Sequence, residues 1–451
     1  MIVMKFGGTS VKDSQAIARV TEIIRERLPL KPVVVVSALS GVTDTLTRIA
    51  ELALKGAVEE ATEQITELEK RHVAVVHQLL GSNTRLSEES AQSIEALFSK
   101  LTEIVKVISI LEELSEMSLA KILSFGELLS SNIIYRVFTN SGFRCTLADA
   151  RQLIITNSKY LKAEPQIDIT NQRVREFLNR EFLSKDVILT QGFIAATSNG
   201  TGTTLGRGGS DYTATLIGTA INAEEIEIWT DVDGIHTCDP KYVAKTKSIS
   251  VISFSEAAEL AFFGAKVLHP ATIQPAVEKN IPVRVLNSLL PSGTGTVILK
   301  DDKIEECGVK AISFKEHIIV INIFSMKMLN TFGFLSRLFD IFARYGTSVD
   351  LISTSEVNVS LTVDSDKNLE EIINELSVFA KVSVSFDKSQ VSIVGKNLRV
   401  TKGLGKKIFG AISDYNITMI SQGASDVNIS FVVERDELKT VVNSLHKEFF
   451  E

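Results

Sequence analysis

Lys5-Phe6-Gly7-Gly8-Thr9-Ser10 follows directly on the apolar run Met1-Ile2-Val3-Met4. About 200 residues later comes Leu205-Gly206-Arg207-Gly208-Gly209-Ser210-Asp211-Tyr212-Thr213-Ala214. Each stretch is a glycine-rich turn with one fixed cation, leading into a helical pattern. Glycine lets backbone N–H groups come close to a ligand, and a helix N-terminus adds partial positive charge. A single Gly-Gly pair would mean only a tight turn, but two such loops in one domain suit a polyanion such as a nucleoside triphosphate.

Around these turns, residues 1 to about 300 alternate short β-branched runs with helical stretches, the pattern of an α/β domain with a largely parallel sheet. Val33-Val34-Val35-Val36 reads as a buried strand ending at Ser37-Ala38-Leu39-Ser40-Gly41. Residues 45 to 137 carry apolar positions at helical spacing (Ile104, Val107, Ile108, Leu111) and form a helical block. Further strands are predicted at 187–190, 226–229 and 281–285, with a loop at Gly293-Thr294-Gly295-Thr296 near the domain end.

After about residue 305 a repeat appears. Ser355-Glu356-Val357-Asn358-Val359-Ser360 matches Ser425-Asp426-Val427-Asn428-Ile429-Ser430 at an offset of 70, which also aligns Phe339 with Phe409 and Gly333-Phe334-Leu335 with Gly403-Leu404-Gly405. Each copy reads as a small ferredoxin-like βαββαβ unit. The second copy runs into its last helix at Glu451 and lacks a fourth strand. An open sheet edge is a liability, so residues 307–314 are expected to complete it, with the first copy (315–388) inserted before the second (389–451).

A net charge of −7 argues against nucleic acid as a partner and requires any anionic substrate to be met by local cations. Cys145, Cys238 and Cys307 have neither disulfide nor metal-ligand spacing, which points to a reducing cytoplasm. No basic-then-apolar leader and no run of membrane-spanning length is present, so neither a signal peptide nor a membrane partner is expected.

The two glycine turns, in this order and separation, resemble the aspartokinases of the amino-acid kinase family, and the C-terminal repeat looks like a pair of ACT domains. The resemblance covers essentially the full length and is greatest to the monofunctional, lysine-sensitive type. It implies helices on both faces of the central sheet and phosphoryl transfer from ATP, with Mg²⁺ carried mainly by its phosphates, to the side-chain carboxylate of L-aspartate. A carboxylate is already ionised at pH 7 and needs no general base, so His72, His77, His317 and His446 read as ordinary residues, and positioning plus fixed positive charge should carry the reaction.

By the same resemblance Lys5, Asp211 and Lys266 are the catalytic set, with Asp211 holding the two lysines; a plain capping role is its other reading. Phe6, Gly7, Gly8, Ser10, Thr230, Asp231, His236, Lys241 and Val267, with Lys5 and Lys266, would contact the nucleotide. At His236 and Lys241 the family commonly has Tyr and Arg. Arg207 would grip the α-carboxylate of aspartate in bidentate fashion and Glu127 its α-ammonium, with Ser37, Thr43, Gly208, Gly209 and Ser210 beside them.

The resemblance further implies L-lysine as feedback inhibitor, with threonine as the alternative. Its site would be Met328, Thr331, Gly333, Phe334, Leu335, Val349, Asp350, Ser355 and Glu356. A homodimer through the ACT units is expected, with a tetramer also open. No fused homoserine dehydrogenase is expected, because nothing follows residue 451. Two rival readings are an acetylglutamate or glutamate 5-kinase, which lacks the paired repeats, and a non-catalytic amino-acid sensor, which would have lost Lys5, Arg207 or Asp211.

Overall fold

The computed structural model describes residues 1–264, 269–303, 308–329 and 332–451. Packing divides the chain into two units. The first comprises Met1–Ile235, Ser250–Phe254 and the described residues of Val267–Lys303, and the second holds the rest. The division is less simple than a boundary at 300, because the stretch His236–Ile249 packs with the C-terminal part.

The first unit is built on an eight-stranded sheet. Its strands run in the order Cys145–Ala148, Val187–Gln191, Val33–Val36, Val3–Phe6, Ile226–Thr230, Val283–Asn287, Thr296–Leu299, Val251–Ser253. All neighbours are parallel except Val283–Asn287 with Thr296–Leu299. The four valines at 33–36 are all buried, as expected for an inner parallel strand covered on both faces.

Side chains alternate along a strand, and that alternation assigns the helices. Met4, Phe6, Val34 and Val36 face a core shared with helices Ser14–Arg27, Val42–Leu54, Val58–Leu80, Thr84–Leu111 and Glu116–Asn140. Val3 and Lys5 face the other way, towards helix Gly209–Ile221, where a side chain added at Gly218 would come within 3.6 Å of Val3 Cγ2. A small second sheet joins Ile155–Thr156, Ile194–Thr197 and Gly202–Thr204. The first strand spans Val3–Phe6, so Lys5 lies inside the sheet, in register between Val35 and Ile228.

Within the helical block His72 is fully buried, its Nδ1 2.7 Å from the Leu68 carbonyl and its ring edge-on to Phe98. Burial pulls its pKa down to about 4. The folded state therefore prefers neutral His72, and stability present above pH 6.5 should be lost as the pH falls towards 4. A fall of that size is worth about 3 kcal/mol. His72→Leu should flatten the pH dependence of the first thermal transition between pH 7 and 4.5. An unchanged acid slope would show that other groups set it.

The second unit is one antiparallel six-stranded sheet, ordered Ile352–Thr354, Asn358–Val363, Gly308–Phe324, Lys381–Lys396, Asn428–Glu434, Met419–Gln422. Helices Phe334–Arg344 and Leu369–Ser377 pack on Ile319, Ile321, Val359 and Leu361. Helices Leu404–Ala411 and Leu438–Phe450 pack on Ile312, Val391, Ile393 and Phe431.

Gly308–Lys315 pairs with Gln390–Lys396 beside Asn428–Glu434. Both long strands, Gly308–Phe324 and Lys381–Lys396, run unbroken across the two repeats. Register shifts around Lys315–Val320 and left-handed residues at His317 (φ 58°) and Asp387 (φ 55°) let them bend instead of stopping.

Candidate active site

In a parallel α/β sheet, ligands bind beyond the carboxyl ends of the strands. Gly7-Gly8, Ser37–Gly41 and Asp231 follow three strands that neighbour one another there. The loops are tied closely together. Gly7 N donates to Trp229 O at 3.1 Å, Ser37 N to Phe6 O at 3.1 Å and Ser40 N to Gly8 O at 3.2 Å. A side chain at Gly8 would meet the Ala38 carbonyl at 3.0 Å, a tight contact that glycine avoids. Ser10 is buried, with its hydroxyl 2.8 Å from that of Ser288, and Ser288 in turn donates to Thr230 O at 3.0 Å. Its hydroxyl thus braces the loop. Thr230 donates to the exposed Asp231 at 3.1 Å.

Lys5 points from its strand to the first turn of helix Gly209–Ile221, where its Nζ lies 2.7 Å from Asp211 Oδ1. The two side chains are only 12% and 11% exposed, so the cation is fixed by a partner and partly shielded from solvent. The helix begins one turn earlier than a capping Asp211 would require. Gly208, left-handed at φ 71°, is the capping residue, and Asp211 sits inside the first turn. Gly209 and Ser210 are buried at this helix start, whereas Arg207 just before it is exposed and has no ion pair among the described residues.

Glu127, in the middle of helix Glu116–Asn140, is 3% exposed. Its Oε1 accepts from Ala38 N at 3.2 Å, and its Oε2 is buried without a hydrogen-bond partner among the described residues. Burial pushes its pKa up to about 8. A buried carboxylate with one vacant oxygen is suited to an incoming cation. Ser130, one turn on, donates to Ser37 O at 2.8 Å and fixes the loop that carries Ser37, while half-buried Thr43 lies in the first turn of helix Val42–Leu54.

His236 and Lys241 belong to the second unit, where His236 Nδ1 is 3.1 Å from the Thr246 hydroxyl and Lys241 is exposed. Lys266, Val267 and Thr331 lie outside the described residues. Among the residues assigned to the effector, Gly333 (φ 81°) caps helix Phe334–Arg344. Phe334 is buried edge-on to Phe379, Leu335 is exposed, and Met328 and Val349 pack at the edge of that core. Ser355 and Glu356 form an exposed turn.

Asp350, also assigned to the effector, is 3% exposed and already paired, its Oδ2 lying 2.8 Å from Lys315 Nζ. That ammonium also sits 4.4 Å over the Phe262 ring. Lys315, Ser130 and Ser288 carry no local motif, and the sequence offered no signal for them.

Residues 1–287 match the amino acid kinase family, and residues 321–370 and 391–449 match the ACT domain. The chain is 36% identical over 461 residues to the lysine-sensitive aspartokinase 3 of Escherichia coli, covering all of this chain and 99% of that one. It resembles crystal structures of E. coli aspartokinase III in complex with aspartate and ADP (R-state) and with lysine and aspartate (T-state). The TM-scores are 0.83 and 0.84, each at 35% identity with both chains fully covered. No helix among the described residues is long and apolar enough to cross a membrane.

Proposed function

The chain belongs to the amino acid kinase family, and from that premise we propose an ATP-dependent aspartate kinase whose chemistry is assigned residue by residue as follows. The enzyme transfers the γ-phosphoryl group of ATP to the side-chain carboxylate of L-aspartate, giving 4-phospho-L-aspartate, the first step of the aspartate pathway. The Lys5–Asp211 pair beside the Gly7-Gly8 turn carries this reading. A carboxylate attacking a phosphate brings two anions together, and a fixed ammonium held by a carboxylate partner offsets that repulsion without reorganising.

Lys5 neutralises the charge that builds on the transferring phosphoryl, with Lys266 as the second cation. Gly7, Gly8 and the start of helix Gly209–Ile221 offer N–H groups to the phosphates. Mg²⁺ would be carried mainly by the nucleotide phosphates and would offset part of their charge.

Arg207 takes the α-carboxylate of aspartate and Glu127 its α-ammonium. Both contacts are remote from the reacting oxygen and bind ground and transition states alike, so Arg207→Ala should raise the aspartate KM far more than it lowers kcat. Glu127 adds a pH signature. Its proton competes with the substrate ammonium, so the aspartate KM should fall about tenfold per pH unit as the pH rises towards 8. Glu127→Gln should abolish that dependence. A change confined to the ATP KM in either variant would place the substrate elsewhere.

The two C-terminal repeats, 315–388 and 389–451 with a strand from 307–314, act as the regulatory ACT pair and take L-lysine as feedback inhibitor. Phe324, Met326, Leu329, Phe332, Leu335, Phe339 and Ile352 are all large apolar side chains exposed on the first repeat, which supports a homodimer through this surface.

A further inference from the structure

Three strand ends meet beneath the Gly7–Ser10 turn and the Thr230-Asp231 loop, all within the first unit. Strand Ile226–Thr230 lies between Val3–Phe6 and Val283–Asn287, with Phe6 in register with Trp229 and Asn287 in register with Thr230. The last two carbonyls of this middle strand are taken from opposite sides. Trp229 O accepts from Gly7 N at 3.1 Å, and Thr230 O accepts from Ser288 N at 2.8 Å and from Ser288 Oγ at 3.0 Å. Across the strand end, Ser10 Oγ and Ser288 Oγ lie 2.8 Å apart, with Ser10 2% and Ser288 3% exposed.

Each hydroxyl has one hydrogen to give, and a hydroxyl bond spans about 2.5–3.0 Å. Ser288 reaches Thr230 O within that range, and a carbonyl can only accept. Trp229 O, at 3.3 Å from Ser10 Oγ, lies outside it. Ser288 therefore donates to Thr230 O, and Ser10 donates to Ser288. The result is a directed chain, Ser10 to Ser288 to Thr230, that commits the Ser10 hydrogen to the interior. Asn287 steadies its far end, because its side-chain oxygen accepts from Leu289 N at 2.8 Å and its amide donates to Asp233.

We propose that Ser288 is a positioning residue for nucleotide binding, which takes the Ser10 hydroxyl hydrogen and so fixes the Gly7–Ser10 turn relative to Thr230 and Asp231. Ser10 then serves the nucleotide through the shape of its turn and not as a hydroxyl donor to phosphate. This role rests on the reading of Gly7, Gly8, Thr230 and Asp231 as nucleotide contacts. Its physical basis is preorganisation. Two loops that touch different parts of one ligand bind it less well when their spacing fluctuates, and a buried bond made beforehand removes that ordering cost.

The test uses the full-length enzyme. Ser288→Ala and Ser10→Ala each remove one end of the bond with little change in volume. Either should raise the ATP KM roughly 3- to 10-fold, the scale of one buried hydrogen bond, and raise the calorimetric Kd for ADP by the same factor. The aspartate KM should stay close to the parent's, and kcat should fall by less than the ATP KM rises. The double variant should be no worse than either single one, because both remove the same bond.

A bond that served stability alone would lower the thermal midpoint and leave both KM values in place. That result in folded Ser288→Ala and Ser10→Ala overturns the positioning role, as does an equal rise in both KM values. A much larger effect from Ser10→Ala than from Ser288→Ala would put the Ser10 hydroxyl on the nucleotide itself and overturn the directed chain. Gly8→Ala, whose new side chain would press on the Ala38 carbonyl, and Asp231→Ala test the underlying reading separately. If both leave the ATP KM unchanged, these loops are no nucleotide site and the inference falls with that reading. If they raise it while the two serine variants do not, the reading stands and the positioning role is overturned.

Discussion

Lys5→Met should lower kcat by roughly 10²–10³, the effect of removing one preorganised electrostatic stabiliser, while the protein stays folded. The size follows from the site. Lys5 Nζ sits 2.7 Å from Asp211 with both side chains about nine-tenths shielded, so its charge is felt at the phosphoryl with little solvent screening. Methionine keeps most of the length and apolar stem in the strand.

The variant strands Asp211, and its cost in stability is read independently from the thermal midpoint. Asp211→Asn should show a smaller loss, since it leaves the ammonium in place but frees it to move. The two changes combined should be far from additive. Near-normal turnover in folded Lys5→Met would remove the assigned role.

The second large effect is regulatory. Asp350→Ala should give an active enzyme that L-lysine no longer inhibits at concentrations roughly 5–150-fold above those that inhibit the parent, the range of a coupling of about 1–3 kcal/mol. The structure adds a second arm to this experiment. Asp350 is held by Lys315, so an effector ammonium that paired with Asp350 would have to displace an internal one.

Lys315→Met should therefore sharpen lysine inhibition. If Lys315→Met dulled it as much as Asp350→Ala, the pair would be structural support and not a competitor. The strand Gly308–Phe324 that carries Lys315 also carries Ile312, which bonds the Thr237 carbonyl. Calorimetry with wild type should show lysine binding weakened by aspartate plus nucleotide by the same factor as the reverse.

The sequence alone determined the class of fold and the chemistry of the phosphate end. Period-two and period-3.6 patterns are local, and so are the glycines that open a loop, so the parallel sheet, the helical block and both glycine turns could be read residue by residue. The 70-residue repeat was equally visible. Glu127 was not. By pattern it is one glutamate among many on a helix, and only resemblance singled it out, whereas burial and one vacant carboxylate oxygen give it physical content.

Tertiary structure decided what joins distant parts. Ser10 meets Ser288, Lys315 takes Asp350, and His446 meets Thr237 across 209 positions. It also carried both long strands through the repeat boundary by way of left-handed His317 and Asp387. Each of these depends on which strands become neighbours and how a bend is absorbed. A hydroxyl, an amine or a carboxylate has no periodicity, so its partner exists only once the chain has brought the two together.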